Sequence, residues 1–180
     1  AVLHDIRTSK AVSEYLQDMG ADVHMWKVGH AYAKIKLREI NAIFGGELAG
    51  HYYFRDFFNC DSGILAGLIV LDVVSDLKRK GISFSQIIDK INKYKFSGEM
   101  NFRIEKKQDA MDKLKEVLSE DEKPAAFFDY DGYRVEFSDW WFNVRPSNTE
   151  PYLRVVAEAH NSSLLEEKVS KIKSILKEFE

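Results

Sequence analysis

Apolar and polar positions change rhythm several times along the first half of the chain. AVLHDI is a short, apolar, β-prone run. In TSKAVSEYLQDMG, Val12, Leu16 and Met19 recur at helical spacing, Thr8 is placed to cap the helix, and Gly20 suits its end. ADVHMW returns to strand character and KVGH is a short loop. AYAKIKLREINA reads as a helix, with Lys34, Lys36 and Arg38 on a wet face beside an apolar stripe, and AIF as another short strand. Strand, helix, strand, helix, strand predicts an α/β domain with a largely parallel sheet. DSGILAGLIVLDVVSDLKRK then carries the strongest helix signal in the chain. It is apolar around most of its circumference and is expected to be well buried. Gly81 ends it, and ISFSQIIDKINKY follows as a helix with Ser83 and Gln86 spaced as a capping box.

The rhythm changes near Lys95. EMNFRI alternates as a strand and KQDAMDKLKEVLSE is a charged helix. AAFFDY, YRVEFS, WWFNVR and YLRVVAEA are short strands separated by turn residues, among them Asp131-Gly132, and SSLLEEKVSKIKSILKEF closes the chain as a helix. Consecutive strands with helices on one side predict a separate α+β domain with an antiparallel sheet. The boundary falls between about Tyr94 and Glu99, giving domains 1–95 and 96–180, with a hinge there. Trp140 and Trp141 point to opposite faces of their strand, so at least one belongs to the core.

Composition narrows the function classes. The net charge of −3 gives no general attraction to nucleic acid or to an anionic membrane. No run approaches the roughly 18 apolar residues of a membrane span. The single cysteine, Cys60, excludes an internal disulfide framework, fits a reducing compartment and reads as a packing residue. A cytoplasmic location is expected. The opening AVLHDI is neither a signal nor a transit peptide. It reads as a strand that begins with no lead-in.

Two loops concentrate chemistry. Gly45-Gly46-Glu47-Leu48-Ala49-Gly50-His51 lies between strands. Glu47 can accept hydrogen bonds from paired hydroxyls and His51 can donate one or balance charge. The alternative is a tight connection with a surface Glu and His. The second loop, Arg145-Pro146-Ser147-Asn148-Thr149-Glu150 followed by Arg154, gathers a guanidinium, two hydroxyls and an amide. Those groups suit an oxyanion such as phosphate. The alternative is a Ser/Asn-rich turn with a salt bridge from Arg145 to Glu150. His30, at a strand end ahead of a helix, and Arg7, just after the first strand, are candidate supporting residues. Each also reads as an ordinary structural or solvated residue.

Taken together, GGELAGHYYFRDF and DWWFNVRPSNTEPYLRVVAEA resemble the α-D-phosphohexomutases, and the phosphomannomutases most closely. WKVGH and the DSG opening of the long helix fit the same likeness, which runs through nearly the whole chain. The resemblance implies that Glu47 binds sugar hydroxyls, with His51 in the same loop and His30 in the matching KxGH element. Arg7 falls where the family keeps a basic residue, often lysine. Arg145, Ser147, Asn148 and Thr149 would grip the phosphate that is not being transferred, and Arg154 would support that loop. Ala49 stands where the family's sugar loop usually has serine, and its methyl cannot hydrogen-bond a sugar hydroxyl.

The family transfers a phosphoryl group between an active-site phosphoserine and the sugar through a bisphosphorylated intermediate. The phosphoserine loop T-x-S-H-N-P and the Mg²⁺ loop D-G-D-x-D-R occur nowhere in these 180 residues. Asp129-Tyr130-Asp131-Gly132 lacks the following Asp-Arg and reads as a hairpin-like turn. The chain is therefore expected to be the C-terminal part of a longer phosphomannomutase or phosphoglucomutase, cut inside the third domain and inactive alone. No catalytic residue, metal or cofactor is assigned to it. Mg²⁺ and a hexose 1,6-bisphosphate activator are implied for the parent. The expected partners are mannose or glucose 1- and 6-phosphates and the parent's N-terminal domains, with the two loops facing one cleft. The competing expectation is a stand-alone phosphosugar-binding module.

Overall fold

The computed structural model describes residues 1–147 and 150–180. The chain divides into two compact units, Ala1–Lys93 and Tyr94–Glu180.

In the first unit, β1 (Val2–Asp5), β2 (Val23–Trp26) and β3 (Phe44–Gly46) run parallel, with β1 in the middle. β4 (Tyr52–Phe54) and β5 (Cys60–Asp61) add to β3 as antiparallel strands, so the order is β2-β1-β3-β4-β5. α1 (Lys10–Asp18) is capped by Ser9, whose hydroxyl accepts from the Ala11 N–H, and not by Thr8. Thr8 is drawn instead to Asp5 at the end of β1, donating to Oδ1 at 3.0 Å. α2 (His30–Glu39) begins after Gly29, whose φ of 120° favours glycine. Leu37 and Ala33 of α2 pack with Leu3, Ala42 and Tyr53 on one face of the sheet.

α3 (Gly63–Arg79) departs from expectation. Among the described residues, none in this helix is buried, and Ile64, Leu68 and Leu71 are 82, 60 and 63% exposed. A groove separates one side of it, at Gly63, Ala66 and Gly67, from Phe44, Tyr52 and Phe54 of the sheet. Apolar periodicity reports that a helix can be covered on most sides, but it does not supply the covering layer. α4 (Phe84–Ile91) starts with the expected capping box between Ser83 and Gln86.

The second unit is an antiparallel sheet of β6 (Lys95–Phe96), β11 (Tyr152–Ala159), β10 (Trp140–Pro146), β9 (Tyr133–Glu136) and β8 (Ala126–Phe128), in that order. β7 (Met100–Arg103) also pairs with β11. The segment after Lys93 is fastened to this unit. Tyr94 stacks on His160, β6 pairs with β11, and the Ser97 N–H donates to the Ala157 carbonyl. α5 (Lys107–Asp121) and α6 (Ser162–Leu176) cover one face, where Leu114, Leu118, Ile172 and Leu176 pack with Trp140, Phe142, Val144, Leu153 and Val155.

The opposite face is polar yet largely buried. Trp141 lies here, fully buried, its Nε1 donating to Glu158 at 2.9 Å, with the Arg134 guanidinium 3.7 Å from its ring centre. Both tryptophans are thus interior, one on each face. Among the described residues, no helix is long and apolar enough to cross a membrane.

Candidate functional site

The first loop is shorter than its sequence implies. Gly46 pairs with Tyr52 across β3 and β4, so Gly45 and Gly46 are strand residues and 47–51 form the turn. A Cβ on Gly45 would lie 3.1 Å from Leu37 Cδ2, so this glycine admits the helix above it. Gly50, with φ 85°, closes the turn. Its N–H donates to the Glu47 carbonyl and the Glu47 N–H to the His51 carbonyl, both at 2.9 Å. Ala49 sits exposed at the tip.

Glu47 is buried, and the Tyr53 hydroxyl donates to its Oε1 at 2.6 Å. Burial, and then this hydrogen bond, push the Tyr53 phenol well above its usual range, so it remains a donor. Beneath the turn, Asp5 ties the loop to the end of β1. Its carboxylate accepts from the Arg7 N–H (2.9 Å), Arg7 Nε (3.1 Å), Arg7 Nη2 (2.6 Å), Thr8 Oγ1 (3.0 Å) and the Leu48 N–H (3.2 Å). Arg7 therefore acts as a buried strut that directs Nε and Nη2 at Asp5. Asp5 is a residue that sequence reasoning missed, because an Asp after a strand reads only as a turn or cap former.

His51 Nδ1 lies 2.6 Å from Asp61 Oδ2, and the Tyr52 N–H donates to Asp61 Oδ1 at 2.9 Å. The hydrogen bond to Asp61 raises the His51 imidazole above its ordinary value, against the opposing effect of burial. For Asp61, burial opposes ionisation, but the bonds from His51 and Tyr52 outweigh it and hold the carboxyl below the usual range. His30 is the exposed first residue of α2, and its charge is felt at Asp61. By charge, Glu47 raises the His51 value and Arg7 lowers it. The fold thus gathers Arg7, His30, Glu47 and His51 at the carboxyl ends of parallel strands, where α/β sheets bind ligands. A small hollow there is lined by His4, Asp5, Lys27, Gly46, Glu47 and Tyr53.

The second loop joins β10 to β11. Arg145 and Arg154 are register partners on these strands, so both guanidiniums leave the same face. Ser147 is buried, and its N–H donates to the Tyr152 carbonyl at 2.9 Å. Asn148 and Thr149 lie outside the described residues. Glu150 bonds Arg154 Nη2 at 2.6 Å, so the expected bridge from Arg145 to Glu150 forms with Arg154 instead. The reason is register: Arg154 is the arginine on Glu150's own return strand. Glu99 stands 3.5 Å from Arg154 Nη1, and Asp131 stands 3.7 Å from Arg145 Nη1. Lys107 reaches across from the start of α5 and donates to the Ser147 and Glu150 carbonyls, at 3.3 and 3.0 Å. Nothing in the sequence singles out this lysine from its neighbours. Only the packing of α5 brings it here.

Among the described residues, no group of three or more His, Cys, Asp or Glu side chains is arranged to hold a metal ion.

Residues 1–94 match the family profile described as phosphoglucomutase/phosphomannomutase, alpha/beta/alpha domain III, and residues 99–174 match that of the C-terminal domain. The chain is 35% identical to a phosphomannomutase of Methanocaldococcus jannaschii over 97% of its own length and 37% of that protein's. It is 35% identical to a phosphomannomutase of Vibrio cholerae, covering 99% of this chain and 38% of the relative. A crystal structure of a phosphoglucomutase/phosphomannomutase family protein from Burkholderia thailandensis superposes with a TM-score of 0.79 at 26% identity. That match covers 98% of this chain and 37% of the other.

Proposed function

The chain belongs to the phosphoglucomutase/phosphomannomutase family, and from that premise we propose that it holds hexose phosphates for the interconversion of hexose 6-phosphate and hexose 1-phosphate by phosphoryl transfer. In this reading the chain supplies substrate recognition within a longer cytoplasmic enzyme. The observation that carries it is the direct opposition of Arg145 and Arg154 beside the buried Ser147. Two guanidiniums on one sheet face can offer paired N–H donors to a phosphate dianion. Asn148 and Thr149 complete the anchor.

Glu47 is the sugar-reading group. Tyr53 leaves one of its carboxylate oxygens to accept from vicinal hydroxyls, and His51 and His30 flank it. Arg7 acts on the sugar through Asp5 and the Leu48 amide. The Ala49 methyl adds no hydrogen bond. Fixing the distant phosphate holds the sugar's other end in place for attack, which is how remote contacts raise a reaction rate. Turnover of a bisphosphorylated intermediate requires the same residues to accept the sugar in two orientations. The chemistry itself, with phosphoserine and Mg²⁺, belongs to the parent's other domains, so this chain alone is inactive. Ala49 favours a second reading, a phosphosugar-binding module without catalysis. A reading frame that encodes serine and aspartate loops upstream excludes it.

The test is a titration of the 180-residue chain with mannose 6-phosphate, followed by amide NMR, with inorganic phosphate as control. Saturable shifts in residues 145–154 with both ligands, and in 47–51 with the sugar phosphate alone, are expected. A well-folded sample with no shift at 145–154 overturns the anchor.

A further inference from the structure

The turn Asp129–Gly132, which lacks the metal-loop pattern, packs against the arginine strand. It connects β8 to β9, and Tyr133 at the start of β9 pairs with Val144 of β10. One residue further back, Gly132 meets Arg145. A Cβ on Gly132 would lie 2.2 Å from the Val144 carbonyl oxygen and 2.6 Å from Arg145 Cα. Its φ of 69° is also a conformation that favours glycine. The turn therefore approaches the Arg145 backbone more closely than any side chain at position 132 permits. That approach delivers the Asp131 carboxylate to 3.7 Å from Arg145 Nη1, with side-chain exposures of 23 and 11%.

The electrostatics call for such a group. Like charges directly opposite on neighbouring strands repel. Arg154 is answered by Glu150 and Glu99. At Arg145 the Asp131 carboxylate lies 3.7 Å from Nη1, within ion-pair range. An incoming phosphate dianion meets that same negative charge.

We propose that Asp131, delivered by the close approach of Gly132, is the resident counter-charge of Arg145 that keeps the phosphate anchor weak enough to release. This role rests on the anchoring reading above. A substrate site that must let go of one phosphate and accept another needs a cation without maximal grip. The turn thereby joins the functional part of the molecule.

The experiment compares inorganic phosphate affinity of the whole chain with that of Asp131→Asn, Asp131→Glu and Arg145→Ala, each verified as folded by its amide spectrum. Asn matches the size of Asp but removes the charge. Asp131→Asn is expected to bind phosphate roughly three- to tenfold more tightly, the scale of one partly screened charge interaction. The gain should shrink as salt rises. Asp131→Glu, which restores the charge, should stay near the parent affinity. A merely structural role predicts a loss in both. Unchanged or weaker binding in Asp131→Asn, alongside a clear loss in Arg145→Ala, overturns the inference and leaves the anchor standing. Undiminished binding in Arg145→Ala overturns the anchor, and the inference with it.

Discussion

Arg7 and Arg145 are both nearly buried and both stand beside an aspartate, yet they are held differently. Arg7 directs Nε and Nη2 at one carboxylate, with its closest bond at 2.6 Å. Arg145 has its aspartate at 3.7 Å and a second arginine directly opposite. The first arrangement settles a charge within the fold. The second collects positive charge and moderates it. A buried arginine is therefore not in itself a sign of a ligand site. The distance to its carboxylate, and the charge across the strand, distinguish the two arrangements.

Arg7→Ala tests the strut and carries the largest expected effect. It leaves Asp5 buried without its charge partner, which costs on the order of 3–5 kcal/mol of stability. Urea denaturation measures this, and a loss under about 1 kcal/mol breaks the comparison. Arg145→Ala is expected to do the reverse. Phosphosugar binding should weaken by roughly 2–3 kcal/mol, the scale of a charge-assisted hydrogen bond, with little change in the denaturation midpoint. Calorimetric titration reads that loss. Gly132→Ala forces the backbone at Val144 and Arg145 to shift, and overpacking of this kind costs about 1–3 kcal/mol. Amide shifts centred on 144–147 would locate the strain, whereas a spectrum unchanged there would refute the close approach.

The smallest effect belongs to the His51–Asp61 pair. Because the folded imidazole titrates above its ordinary value, its contribution is complete below about pH 6.5 and fades as pH rises through the raised value. Because the Asp61 carboxyl is lowered, its contribution is present above the ordinary carboxylate range and is lost as pH falls through the lowered value. The pair thus stabilises most in the window between them. Half-exposed His51 limits the gain to about 1 kcal/mol or less. An NMR titration of the imidazole in Asp61→Asn should return His51 to its ordinary value.

Periodicity made most of the elements legible. β1, β2, α1 and α2 follow from alternating apolar runs, and β8 to β11 of the second unit follow from their turn residues. The exposure of α3 was not legible, because a hydrophobic circumference says nothing about which layers are present to cover it. At the site, local motifs marked both loops but not what holds them. Asp5 meets Leu48 across 43 positions, and Lys107 meets Ser147 across 40. No spacing rule reaches that far. The choice of Asp131 over Glu150 as the neighbour of Arg145 is likewise set by strand register. That register is fixed by core packing on the other face of the sheet.

The placement of the tryptophans has an optical consequence. Trp26 is half-buried in the first unit, under the Lys36 ammonium at 4.6 Å from its ring centre. Trp140 and Trp141 are both in the second unit, and Trp141 is sandwiched against a guanidinium with its N–H on a carboxylate. Indole emission follows its surroundings, so the fluorescence of this chain is a two-colour readout of two units. Trp26→Phe leaves only the second unit visible, and melting curves recorded with and without it reveal whether the units come apart together or in turn.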